Sequence, residues 1–433
     1  MNTPDTVAEG GATQHLFDWL FLDLNSFFAS VEQQENPRYR RRPLAVVPVD
    51  TDHTCVIAAS YEAKALGITT GTPVLEARRR CPKIIRVLAR HDKYAEYHHR
   101  IIAAVDRHLP VHVVASIDEM ACPLTGRWRE PERAAEMARQ IKAAIATEVG
   151  VCLRSSIGIS TNRFLAKVAT DMQKPDGLVL LHPTELPGRW EGMGLRDLPG
   201  IGKQMERRLN AAGIFSISAL FACNARRLRR AWGSIEGERF WHSLRGEQLP
   251  EVLTKTSCFG HSQVLPPEDR GWERAEAVAR WLLVRAAFRM RRGGYAASGV
   301  VVSVRNEGWE RHAMEAKVSP TAESLDLVRA FTSLWSHLGE ECSRAKLRKV
   351  SVVLHGLVPL SAPEQMEFSF DSTTGPSAVR KGLGVGHSLS QALDKIRRRY
   401  GAGAIAIGEP AVEKGGTGGA KIAFTCVPEA EDF

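Results

Sequence analysis

The chain lacks several features that would restrict its class early. No apolar run is long enough to span a bilayer, and no charged, then apolar leader opens the N-terminus, so a membrane or secreted location is not expected and the cytoplasm is. None of its eight cysteines forms a C-x-x-C pair or has a histidine at zinc-finger spacing. That excludes a disulfide framework or a zinc ribbon and leaves scattered, reduced thiols. There is no internal repeat and no separate exonuclease-like segment. Acid is in short supply: 58 Lys and Arg face 49 Asp and Glu, for a formal charge of +9 and a pI near 9.2. Arginine gathers in "PRYRRRP" (37–43), "ARRLRRAW" (225–232), "FRMRRGG" (288–294) and "DKIRRRYG" (394–401). Four basic clusters and a positive total point to a polyanion, most simply nucleic acid.

At 433 residues the chain is too long for one ordinary domain. Short β-branched runs interleave with helical patterns up to about residue 185: "LFDWLFLDLN", "PLAVVPV", "CVIAASY", the run 111–117 and "CLRSSIGIS" read as strands. "DKYAEYHHRIIAAVDRHL" and "PERAAEMARQIKAAIATEVG" read as helices, as does "TNRFLAKVATDMQKP" with Thr161 or Asn162 as its cap. Residues 186–248 read as short helices with glycine turns, and 255–360 as strand, helix, two strands, helix, strand. Beyond 361, Gly, Ser and Pro dominate apart from a helical piece at "LSQALDKIRRRYG", which suggests a flexible tail with short interaction segments.

Against this background two acid placements stand out. Asp118 and Glu119 lie side by side in "VVASIDEMACPL", where an unpaired carboxylate is costly. Asp23 ends the apolar run of "FLDLNSFFASVE". Taken singly, Asp23 reads as a helix cap and the pair as partners for arginine. Taken together, three carboxylates from one sheet suit divalent cations, and magnesium prefers a few carboxylates plus substrate phosphates. Two such ions serve phosphoryl transfer.

"FLDLNSFFASVE", "AASYEAKALGI", "SIDE" and "FLAKVATDMQKPDG" together resemble, in order and spacing, the Y-family DNA polymerases, the translesion enzymes typified by bacterial polymerase IV and the catalytic subunit of polymerase V. The resemblance covers about residues 17–360. It implies an α+β right-hand polymerase: palm from 16–36 and 96–185, fingers from 37–95, a helix-hairpin-helix thumb at 186–248, a linker at 249–254 and a βαββαβ little finger at 255–360. Residues 1–15 are expected to be disordered. The implied activity is template-directed, error-prone addition of deoxynucleotides past damaged DNA. Asp23, Asp118, Glu119 and the Leu24 carbonyl would hold two Mg2+, with Mn2+ as a substitute. Phe28 would be the steric gate against ribonucleotides, and Phe27, Tyr61, Lys64 and Lys167 would meet the nucleotide. Lys64 stands where many members have arginine, and Ala58 where a hydroxyl is frequent. Asn25 replaces a frequent second acid and Met120 a frequent alanine. Gly200, Ile201, Gly202 and Lys203 would meet DNA phosphate in the thumb, and Arg289, Arg291 and Arg292 would meet it in the little finger. "QMEFSF" resembles a sliding-clamp peptide through Gln365, Met366, Phe368 and Phe370, and the sequence after it suggests regulatory subunits or a recombinase filament as partners. The competing expectations are a non-catalytic polymerase-like adaptor and a two-metal nuclease or cyclase. The intact acids oppose the first; the Phe28 and hairpin motifs oppose the second.

Overall fold

The computed structural model describes residues 16–251, 255–361, 383–400 and 404–405. The chain divides near residue 252 into two units.

The first unit opens with β1 (Trp19–Leu24), α1 (Phe27–Glu35), β2 (Leu44–Val47), β3 (Ala58–Ala59), α2 (Tyr61–Lys64), α3 (Val74–Arg80), β4 (Ile85–Leu88) and α4 (His91–Asp106). It continues with β5 (Val113–Val114), β6 (Glu119–Pro123), α5 (Pro131–Ala144), β7 (Ser155–Ser160), α6 (Arg163–Met172) and β8 (Leu178–Leu180). Five strands form one sheet in the order β5-β6-β1-β7-β8, antiparallel except for the β7–β8 pair that α6 connects. The two-residue period of a strand sorts β1 cleanly. Leu20, Leu22 and Leu24 face a core filled by Tyr94, Tyr97 and Ile101 of α4 and by Met137, Ala138 and Ile141 of α5. Phe21 packs on the other face against Ala121 and Ala166, the latter from α6. Gly158 permits that approach, because a Cβ there would lie 2.0 Å from the Ala166 carbonyl oxygen. Asn162 caps α6, accepting from the Leu165 amide at 2.8 Å.

A second, three-stranded sheet, β3-β2-β4, has its own small core of Ala45, Val56, Ala63, Ile68 and Ala77. Four helices end the unit: α7 (Lys203–Ala211), α8 (Ile217–Ala222), α9 (Ala225–Trp232) and α10 (Glu236–Leu244). They surround Trp190, Leu198, Ile201, Leu209, Leu220 and Leu228.

The second unit runs β9 (Cys258–Val264), α11 (Trp272–Arg292), β10 (Tyr295–Asn306), β11 (Arg311–Thr321), α12 (Ser324–Glu341), β12 (Leu347–Pro359) and α13 (Leu383–Tyr400). The sheet order is β11-β10-β12-β9. Alternate residues Val300, Val302, Val304, Val350, Val352 and Leu354 pack on Leu283, Ala287, Phe331 and Leu338 of α11 and α12. On β11 every second residue is exposed.

Two expectations change. The run 111–117 is not one strand. Only Val113 and Val114 pair, and Asp118 sits in the turn before β6, because the Ala115 and Ser116 amides both turn back to the Glu119 carbonyl. Residues 383–400, expected as a helical piece within a flexible tail, form α13, which is docked on the second unit. Asp394 of α13 accepts from Arg291, and Ser390 Oγ accepts from the Ser324 amide at 3.1 Å.

Candidate active site

Antiparallel register sets the site. Asp23 is directly opposite Glu119 on the neighbouring strand, and Asp118 precedes Glu119 in the turn. The Leu24 amide donates to the Asp118 carbonyl at 2.8 Å, tying that turn to the end of β1. His98, buried in α4, lies with Nδ1 2.7 Å from the Ile117 carbonyl oxygen and fixes the turn from below. Ser116 Oγ hydrogen-bonds the Asp118 carboxylate. Asp23 does not cap α1, whose cap position is Ser26.

Like charges directly opposite on adjacent strands repel, and two lysines compensate here. Lys167 Nζ of α6 donates to Asp23 Oδ2 at 2.6 Å and lies 2.8 Å from Glu119 Oε1 and 3.5 Å from Asp171 Oδ2. Lys174 Nζ reaches the same Asp23 oxygen at 2.8 Å and Asp171 Oδ1 at 2.7 Å. Burial pushes Asp23 upward, but the two ammonium groups outweigh it and hold the carboxyl below its usual range. Glu119 has Lys167 alone beside two other carboxylates, so burial wins and its pKa is raised. Burial also raises Asp118, with the Asp23 charge adding to it. The donor set is hard oxygen, and two of its three carboxyls gain from any added cation. That chemistry fits a magnesium-type ion. As the side chains stand, the Lys167 ammonium lies between Asp23 and Glu119.

Across from these acids lie Tyr61 and Lys64, where α2 starts behind a Ser60 cap. Lys64 Nζ sits 4.5 Å from the centre of the Tyr61 ring. Both side chains feel the charges of Lys174 and Asp23. Burial, then Lys174, lowers the Lys64 pKa. Phe28 is half-buried and stacks on Tyr94 at 4.2 Å and 11°. The Tyr94 hydroxyl donates to Glu32 at 2.8 Å, and Arg90 grips Glu32 with two further bonds. Phe27 is 3% exposed inside the core, so only its main chain can face a ligand.

The sequence reading missed Lys174. Its signal was the "QKPDG" end of a motif already noted, but the loop that aims it is set by tertiary contacts. Buried Asn25 accepts from the Asp176 amide at 2.7 Å and donates to Ser156 Oγ at 3.1 Å. This commits the residue found in place of a second acid to holding that loop.

The basic residues divide. Gly200 adopts φ +88° beside Gly202 and Lys203, all three exposed at the start of α7, while Ile201 is in the core. Arg292 is exposed, and Arg289 Nη1 donates to His261 Nε2 at 3.4 Å. Arg291 departs from expectation. It is 9% exposed, and its guanidinium forks onto both Asp394 oxygens at 2.7 Å, so it cannot meet a DNA backbone. Gln365, Met366, Phe368 and Phe370 lie outside the described residues. Among the described residues, no helix is long and apolar enough to cross a membrane.

The chain is similar to known proteins in both sequence and fold. Residues 22–171 match the impB/mucB/samB family and 258–368 its C-terminal domain, while 196–248 match the thumb domain of DNA polymerase-iota. DNA polymerase IV of Moorella thermoacetica is 34% identical over 391 residues, 88% of this chain and 93% of that one. DNA polymerase IV 1 of Bacillus subtilis is 28% identical over 388 residues, 88% and 90% of the two chains. Among solved structures, a Y-family DNA polymerase chimera of Dbh and Dpo4 is similar with a TM-score of 0.68 and 25% identity, covering 79% of this chain and 99% of that one. An insertion ternary complex of Dbh DNA polymerase is similar with a TM-score of 0.53 at 25% identity and the same coverage. From its acids to its second, sheet-built unit, this chain belongs to the Y-family of DNA polymerases.

Proposed function

We propose that the chain is a template-directed DNA polymerase that extends a primer 3′ end with deoxynucleotides, in error-prone synthesis past damaged DNA. The observation that carries this reading is the Asp23–Glu119 cross-strand pair beside Asp118, bridged by Lys167.

Asp23, Asp118, Glu119 and the Leu24 carbonyl would hold two magnesium ions, or manganese in their place. Bound ions would supply the charge that activates the attacking oxygen and stabilises the leaving one. The side chains themselves orient and neutralise. Tyr61, Lys64 and Lys167 would grip the triphosphate, and Lys174, which shares Asp23 with Lys167, would add to that grip. Lys64 is a point charge without the fork of arginine, so that grip is less directional. Phe28, held flat on Tyr94, would lie under the sugar and exclude a 2′-hydroxyl. The exposed residues Gly200, Gly202 and Lys203 would meet a primer or template phosphate without reading sequence, and Arg289 and Arg292 would meet the backbone from the second unit. The peptide at 365–370 supports a bacterial sliding clamp as partner, and the sequence beyond it regulatory subunits or a recombinase filament.

Primer extension tests the reading. With magnesium and deoxynucleotides the wild type should extend a primer on undamaged and damaged templates, and Asp118→Ala with Glu119→Ala should not. A wild type that binds DNA but adds nothing sinks the proposal.

A further inference from the structure

Lys167 does something at this site that gripping a triphosphate does not explain. It projects from α6 over the Phe21 ring, with Nζ 5.6 Å from the ring centre, and its side chain is only 17% exposed. From there it reaches one oxygen of Asp23 and one of Glu119, and so joins β1 to β6 across their repelling pair. The two lysines are not equivalent. Asp23 keeps Lys174 if Lys167 is removed, whereas Lys167 is the one ion-pair partner recorded for Glu119 among the described residues. Both lysines reach Asp171, and Lys174 also acts on Tyr61 and Lys64. Lys167 lies between the two strand carboxylates.

We propose that Lys167 is a tethered counter-ion of the acidic site, which a divalent cation must displace from Asp23 and Glu119 before it can bind there. This rests on the polymerase reading and adds a regulation to it. Without nucleotide, the ammonium competes with the metal, and affinity is low. A triphosphate brings anionic oxygens to which the displaced ammonium can turn, so metal loading becomes coupled to nucleotide arrival. Binding of either then strengthens binding of the other, as linkage requires. Lysine suits the role because its charge is compact and its stem flexible, so it can leave without dismantling a fork of hydrogen bonds.

Calorimetric titration of the DNA-free, nucleotide-free full chain with Mn2+ tests this. K167M should bind Mn2+ at least about fivefold more tightly than wild type, and K167R, which keeps the charge, should stay close to wild type. Unchanged or weaker binding by K167M overturns the proposal, as does K167R tightening as much as K167M. Should K167M unfold without metal, saturating Mg2+ must restore its Tm to the wild-type value; failure to do so also overturns it. The titration needs no catalysis. A chain that extends no primer yet shows the tighter K167M site keeps this inference and loses the polymerase reading. An active chain with unchanged K167M affinity does the reverse.

Discussion

Each unit of the molecule buries a cation against carboxylate, and the two are built from different materials. In the first unit, Lys167 and Lys174 share one oxygen of Asp23 at 2.6 and 2.8 Å at the edge of an open cleft. In the second, Arg291 meets both oxygens of Asp394 and spends its remaining Nη1 on the Ala322 carbonyl and Ser324 Oγ, with side chains only 5% and 10% exposed. The lysine site holds surplus acid around mobile point charges. The arginine site is saturated and planar. One is an arrangement a ligand can take apart; the other is a fastener that closes α13 onto α11 and α12.

The largest effect should come from the exchangeable site. Asp23→Asn removes the negative charge shared by both lysines, and primer extension should fall by about 10³-fold or more with little change in Tm. A large Tm loss would mean that this site, too, is a fastener. Next, Arg291→Met leaves Asp394 buried without its fork and should cost about 3–5 kcal/mol in denaturant unfolding of the second unit. Adding Asp394→Leu should recover most of that; no recovery would mean the pair does not act as a unit. A smaller effect is expected at the sugar gate. Tyr94→Leu removes the stack beneath Phe28, and discrimination against ribonucleotides in single-nucleotide insertion should relax by about tenfold.

The smallest concerns His98. Burial holds its pKa below the ordinary 6.5, with the His99 ring close by, so the folded chain keeps it neutral longer than the unfolded chain does. Its contribution is therefore fully present above about pH 6.5 and is lost as pH falls toward the folded value. His98→Asn should flatten that acid-side slope, read from unfolding midpoints across pH. An unchanged slope would show that His98 does not titrate with folding.

Much of this was legible in the chain. The leucine alternation of β1 sets which face carries Asp23, and the βαββαβ order of the second unit follows from its apolar periods. Short motifs located the acids because their spacing is local. What escaped depends on partners far along the chain. Arg291 looked like one more basic residue because its partner lies 103 positions away in α13. Lys174 owes its aim to Asn25, 151 positions from the Asp176 amide it holds. The run 111–117 reads as one strand because it is apolar enough for one, whereas the backbone turns at Ser116 to satisfy the Glu119 carbonyl.

The β1–β6 register has a consequence for how this site can fail. Asp23 faces Glu119 while its neighbour Leu22 faces Met120, both of the latter fully buried. Sliding one strand by a single residue would exchange these roles, sending a carboxylate into the apolar core and a leucine to the cleft. There is no intermediate setting. A slipped sheet would separate Asp23 from Glu119, so the register itself is a condition for the acidic site.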